Sequence, residues 1–229
     1  MFVYSEPAGQ TVADRWPSVF LRDLAASGYL VASFDNQGTP APRGREWRKV
    51  IYGNVGTLSS QQQAAALQSL EKSHPFVDSK RVGVWGWSGG GTSTLNLMFR
   101  YPDLYSVGVS IASVPDQRLY GSIYQERYLG LPQQSSKAYE VSSAINFAGG
   151  LRGSLLVMHG SGDDNVHFQG FELLVNKLVS LGKAFDMRLY PGRTHGIFEG
   201  QGTSADVYGN ILGYFADHLA PGPSGGAAP

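Results

Sequence analysis

The chain has 229 residues, with 18 basic and 18 acidic side chains, zero formal net charge, 30 glycines and no cysteine. That length suits one α/β domain with a substantial core, and balanced charge without a like-charge block excludes the basic footprint of a nucleic-acid binder. The missing cysteine excludes disulfides, thiolate zinc sites and a thiol nucleophile, and no apolar run approaches the roughly 18 residues of a membrane-spanning helix.

Taken in chain order, short β-branched or aromatic runs alternate with helical patterns, which predicts a parallel sheet with crossover helices. Six strands are expected, at residues 1–4, 29–34, 81–86, 106–112, 154–159 and 185–190. Helices are expected at 18–27, where Gly28 stops the first, at 59–73, ended by His74-Pro75, and at 89–101, 168–181 and 204–219. The last carries Val207, Ile211, Tyr214, Phe215 and His218 along one side. Residues 39–56 read as a long loop and 114–144 as an excursion of turns and short helices after a strand; such segments at strand ends are where sites are built. The tail 220–229, "APGPSGGAAP", is too rich in Pro, Gly and Ala to pack and is expected to be disordered, leaving 1–219 as the domain. Met1-Phe2-Val3-Tyr4 reads as the end of a strand whose first half is absent, as in an N-terminally truncated fragment.

The stretch "RVGVWGWSGGGTSTL" places Gly86-Trp87-Ser88-Gly89-Gly90 after an apolar strand and before a helix. In so glycine-rich a chain the bare pattern G-x-S-x-G is a weak signal. Its strand-turn-helix setting is what a nucleophile elbow requires: small neighbours permit the tight turn, and Ser88 Oγ stands above the sheet edge. Backbone N–H groups at the new helix start could receive an oxyanion. The plainer reading is a glycine-rich turn that binds phosphate or merely packs closely.

A serine needs a base, and the base an orienting acid, in the order Ser, Asp, His for such a fold. "SLLVMHGSGDDNVHF" offers Asp163 and Asp164 at a strand's carboxyl end, and "FDMRLYPGRTHGI" offers His195 in a later loop on the same edge. Position favours Asp163 as the acid, since Asp164 is better placed to cap the following helix. His195 is the best base, because His74, His159 and His218 sit in structural contexts and His167, four residues after Asp163, suits a helix cap. A rival reading pools His159, Asp163, Asp164 and His167 as a metal cluster, although nothing fixes their faces.

The motifs "GWSGGG", "YQERYLGLP", "HGSGDDNVHFQ" and "YPGRTHGI", in this order, resemble the catalytic α/β-hydrolase domain of the prolyl oligopeptidase family, dipeptidyl peptidase IV-like branch, from Met1 to Leu219. The resemblance implies a mostly parallel sheet flanked by helices and a Ser88–Asp163–His195 triad, the same residues that geometry selects. It further implies that Tyr4 and the Gly89 N–H form the oxyanion site, that Tyr120, Tyr124, Val114 and Val166 wall a pocket for proline or another small apolar residue, and that Asn165 holds a substrate carbonyl. Without the motif, core packing would be the better account of those tyrosines. A peptide substrate, no cofactor, no metal and a possible homodimer are implied as well.

Departures from the family pattern bear on specificity. Relatives carry a bulky tyrosine at Gly89 and a tryptophan at Gln117, which implies a looser, more polar pocket here. The segment "VGTLSSQQQAAAL" lacks the acidic residues usual in the helix before the nucleophile strand. Relatives also have an N-terminal β-propeller that caps the site and supplies glutamates for the substrate's amino terminus; no segment here reads as one. The expected function is acyl transfer to water by a serine peptidase cutting after proline or alanine. The alternatives are a carboxylesterase on the same triad and an inactive fragment or interaction module.

Overall fold

The computed structural model describes residues 1–7, 9–40 and 43–222. Three helices precede the sheet: α1 (Val19–Ala26), α2 (Gly44–Lys49) and α3 (Thr57–Ser73). Ser18 opens α1 by accepting a hydrogen bond from the Leu21 N–H, as its residue type predicts. The strands β1 (Gly83–Trp87), β2 (Val107–Ile111), β3 (Ser154–Gly160) and β4 (Asp186–Tyr190) pair in parallel in the order β1-β2-β3-β4. Each is joined to the next by a crossover. Helix α4 (Gly89–Arg100) links β1 to β2, the excursion with α5 (Ser122–Leu129) and α6 (Ser136–Ser142) follows β2, α7 (Phe168–Ser180) links β3 to β4, and α8 (Thr203–His218) follows β4.

Both sheet faces are covered, which is why the strands read as apolar runs rather than alternating ones. On one face Leu95, Met98 and Phe99 of α4 and Leu174 and Leu178 of α7 pack with Val84, Leu155 and Val157. On the other, Val207, Ile211 and Phe215 of α8 and Leu24 of α1 pack with Trp85, Val109, Leu156 and Met158. Register pairs Trp87 with Ile111 and Ile111 with Met158, while Gly160 pairs with Tyr190. The loops after β1, β2, β3 and β4 therefore leave from one edge.

Two of the six expected strands are not formed among the described residues. Residues 1–4 make a single parallel bridge, Phe2 to Trp85, with Val3 N–H donating to Trp85 O and Trp85 N–H to Met1 O, both at 3.0 Å. Residues 29–34 lie beside them and accept one backbone bond from them, Phe2 N–H to Ala32 O at 3.0 Å. One backbone bond does not make a ladder, so the apolar pattern was right about placement at the sheet and wrong about regular pairing. The expected loop 39–56 contains helix α2, and Asp164 does not cap α7: His167 does, its Nδ1 accepting from Gln169 N–H at 3.2 Å. The tail from 223 onward lies outside the described residues.

The turn after β1 has no room to spare. A Cβ on Gly86 would sit 2.4 Å from Val3 O and 2.5 Å from Gly90 O, and both are backbone atoms that cannot rotate away. Gly86→Ala is expected to cost about 1–3 kcal/mol or more through forced backbone displacement. A urea unfolding midpoint equal to that of the parent chain would show that the turn yields.

Candidate active site

Ser88 stands between β1 and α4, at the N-cap of the helix, with φ 57° and ψ −119°, a backbone conformation that residues with a Cβ rarely adopt. Its N–H donates to Ile111 O at 2.8 Å, which ties the turn to β2. The side chain is consequently lifted out of the sheet and half-exposed, as expected of a nucleophile elbow. Gly89, the first residue of α4, lies in the turn whose N–H groups have no acceptor within the helix.

Tyr4 reaches this point because its segment is clamped to α4: Ser93 Oγ donates to Tyr4 O at 2.8 Å. Burial and the neighbouring Glu6 push the Tyr4 phenol's pKa up, Tyr120 adds to this, and a hydrogen bond with the Ser88 side chain opposes it. The phenol stays protonated and beside the serine.

The loops carrying Asp163 and His195 are closed against each other. Ser161 N–H donates to Tyr190 O, Gly162 N–H to Arg193 O, and Gly192 N–H to Ser161 Oγ, at 3.0, 3.0 and 2.8 Å. His195 Nδ1 lies 2.9 Å from Asp163 Oδ2, and the indole Nε1–H of Trp87, the residue before the serine, donates to His195 O at 2.8 Å. Asp163 Oδ1 accepts from the N–H groups of Asn165 and Val166 at 2.9 and 2.7 Å. His159 Nε2, within β3, lies 3.2 Å from Asp163 Oδ2 and 2.9 Å from Val166 O. Burial alone would raise the Asp163 pKa, but the hydrogen bonds from His159, His195, Val166 and Asn165 outweigh it and hold the carboxyl well below the usual carboxylate range. Asp163 is thus an ionised acceptor facing the imidazole. Among the described residues no hydrogen bond joins Ser88 Oγ to His195, so two of the three expected triad side chains are bonded and the third stands on the same edge.

A cavity beside Ser88 is lined by Tyr4, Gly89, Val114, Tyr120 and Tyr124, all expected site residues. Val166 is buried and does not line it, and Asn165 is tied to its wall, Tyr120 O–H donating to Asn165 Oδ1 at 3.1 Å. The pooled metal cluster is not assembled: His167 caps α7, His159 faces Asp163, and among the described residues no three His, Cys, Asp or Glu side chains are grouped to hold an ion.

Three residues in this region carry more than their positions in the sequence suggested. His159, buried within β3, faces the Asp163 carboxyl. Glu6 and Gln125 line the cavity. Glu6 is nearly buried; Tyr124 O–H donates to its Oε2 at 2.8 Å, and burial, partly offset by that bond, pushes its pKa up to about 7. A glutamate two residues after Tyr4 in a Pro/Gly loop gave no periodic signal, and only folding brings it beneath Gly89.

The comparisons agree with this architecture. The chain is 40% identical over 198 residues to a "Probable dipeptidyl-aminopeptidase B" of Metarhizium robertsii, covering 85% of this chain and 21% of that protein. It is 36% identical over 203 residues to a "Probable dipeptidyl peptidase 4" of Aspergillus clavatus, covering 85% of this chain and 26% of that one. The crystal structure of Porphyromonas gingivalis dipeptidyl peptidase 4 superposes with a TM-score of 0.91 at 39% identity, over 95% of this chain and 31% of that chain. The fold is therefore the α/β-hydrolase fold, and the chain spans between about a fifth and a third of the length of these relatives. Residues 17–222 match the model of the prolyl oligopeptidase family, to which the chain belongs.

Proposed function

We propose that this chain carries the acyl-transfer chemistry of a dipeptidyl-peptidase-like serine peptidase, cleaving peptides after proline or alanine. The observation that carries the proposal is the 2.9 Å pairing of His195 Nδ1 with an ionised Asp163 at the sheet edge where Ser88 is held at φ 57°. With Nδ1–H donated to Asp163, His195 presents an unprotonated Nε2. Substrate binding closes Ser88 Oγ onto that nitrogen, a tightening common when an unliganded site fills. As Oγ attacks the carbonyl carbon, its proton passes to Nε2, and the oxyanion takes hydrogen bonds from Tyr4 O–H and Gly89 N–H. The imidazolium then gives its proton to the departing amine. Water, deprotonated by the same nitrogen, releases the acyl group and restores Ser88.

A fluorophosphonate probe should label Ser88 in the folded chain, and an Ala-Pro 4-nitroanilide should be hydrolysed. Turnover of simple esters without any turnover of the anilide would favour a carboxylesterase instead; absence of both labelling and turnover would overturn the hydrolase reading. The oxyanion role of Tyr4 has its own test. Tyr4→Phe keeps the ring and removes one donor, so kcat should fall roughly 10²–10³-fold with little change in KM. A variant with unaltered kcat would leave the oxyanion to backbone donors alone.

A further inference from the structure

The cavity beside Ser88 carries the acceptors Glu6, Gln117 and Gln125 among its tyrosines and Val114, in line with the more polar pocket expected from Gly89 and Gln117. A Cβ on Gly89 would meet Glu6 Cγ at 2.2 Å, so the glycine after the nucleophile and the glutamate beneath it occupy one space between them. Any larger residue at 89 would displace Glu6. Among the described residues Tyr124 O–H is the only side chain donating to the Glu6 carboxyl. Across the same cavity Gln125, itself 3% exposed, gives its Nε2–H to Gln117 Oε1 at 2.5 Å, and its own Oε1 is buried with no partner.

A buried acceptor without a donor is costly, and a cavity lined by one favours a ligand that supplies the missing hydrogen. The titratable groups facing Glu6 are Tyr4 on its own segment and Tyr120 and Tyr124 from the excursion; no lysine, arginine or histidine lines the cavity. Tyr120 O–H and Thr92 O–H already donate to Asn165 Oδ1 and Val114 O, and Tyr4 and Ser88 face the reacting carbonyl, so the further donor comes from the substrate. Ser88 and Gly89 line the cavity, so the group that fills it is the side chain of the residue whose carbonyl is attacked.

We propose that Glu6 and Gln125 make this cavity a subsite for a small hydroxyl-bearing residue on the acyl side of the scissile bond, serine or 4-hydroxyproline, in preference to alanine or proline. The proposal rests on the hydrolase reading above and moves its preference from proline and alanine to their hydroxylated counterparts. A hydroxyl donates to Glu6 or to Gln125 Oε1 and can accept as well, so it suits both ionisation states of the carboxyl. An alanine or proline ring leaves the acceptors unpaired, and a site with unpaired buried polar groups rejects the analogue that lacks the donor.

The test compares four dipeptidyl 4-nitroanilides, Ala-Ser, Ala-Ala, Ala-hydroxyproline and Ala-Pro, with fluorophosphonate labelling of Ser88 run alongside. The expected result is a kcat/KM ratio of roughly tenfold or more in favour of each hydroxylated member of a pair. The ratio should rise from about pH 6 to about pH 8, because the Glu6 carboxyl titrates near 7 and its ionised form is the stronger acceptor. In Glu6→Met the ratio should invert, and in Glu6→Gln, which keeps an acceptor and is the milder change if the methionine variant misfolds, it should persist without the pH dependence. Labelled, active enzyme that hydrolyses the paired substrates equally, or prefers alanine and proline, overturns the subsite and leaves the hydrolase reading standing. An unlabelled Ser88 with no turnover of any of the four overturns both.

Discussion

Ser88→Ala is expected to lower kcat/KM on the order of 10⁶-fold and to abolish fluorophosphonate labelling, because triad members act as a unit and the nucleophile's removal forfeits nearly all their joint effect. The site adds a second, independent signature. Ser88 holds φ 57° and ψ −119°, where a Cβ is crowded, so the elbow stores backbone strain of about 1–3 kcal/mol that its bonds to Ile111 O and from Thr92 N–H sustain. Alanine retains the Cβ and should leave the unfolding midpoint near that of the parent chain. Glycine removes it, so Ser88→Gly should be as inactive as Ser88→Ala yet more stable by roughly 1 kcal/mol or more, measured by urea titration. Two equally dead variants separated in stability would locate the strain at the nucleophile. Retained turnover in either would remove Ser88 from the chemistry, whatever the stability result.

The parts of this site legible from sequence were those set by local rules. A serine between glycines at the junction of an apolar strand and a helix can be read directly, because the tight turn demands small residues that composition reveals. The Asp163 and His195 loops were legible for the same reason, each following the carboxyl end of an apolar run on a parallel sheet. Tyr4 was reached only through family resemblance, and its clamp, Ser93 Oγ to Tyr4 O, joins residues far apart in the chain. The facing of His159 onto Asp163 and the burial of Glu6 were illegible on different grounds. A histidine inside an apolar strand gives no sign of which residue it faces, and only the turn back at Ser161–Val166 brings the Asp163 carboxyl onto its ring. Glu6 lies in a loop without periodicity, and its burial depends on the vacancy left by a glycine more than eighty positions later. The two unformed strands failed for a related reason: a short apolar run reports burial beside a sheet, while regular pairing needs a partner whose backbone groups are all in register.

Asp163→Asn should separate the electrostatic from the structural work of the acid. Asparagine fits the same space, and its Oδ1 can still accept from the Asn165 and Val166 N–H groups, but its amide N–H₂ then faces His195 where an acceptor stood. The imidazole is driven to the tautomer with hydrogen on Nε2, which cannot take the Ser88 proton; the corresponding change in a serine protease triad lowers kcat by about 10⁴. KM should move little, since no substrate contact is altered. Stability carries the sign of the pKa shift. The Asp163 carboxyl is held below its ordinary value of 3.8 in the folded chain, so its contribution is complete above that value and is lost as pH falls through the folded pKa. The parent should therefore exceed Asp163→Asn by a constant margin of about 1–3 kcal/mol from neutral pH down to about pH 5, and the gap should close in stronger acid. His159→Gln offers a partial version of the same experiment, since it removes one of the two histidine donors while leaving His195 in place. Should the Asp163→Asn variant keep its rate, the carboxylate would not be the group that orients the base.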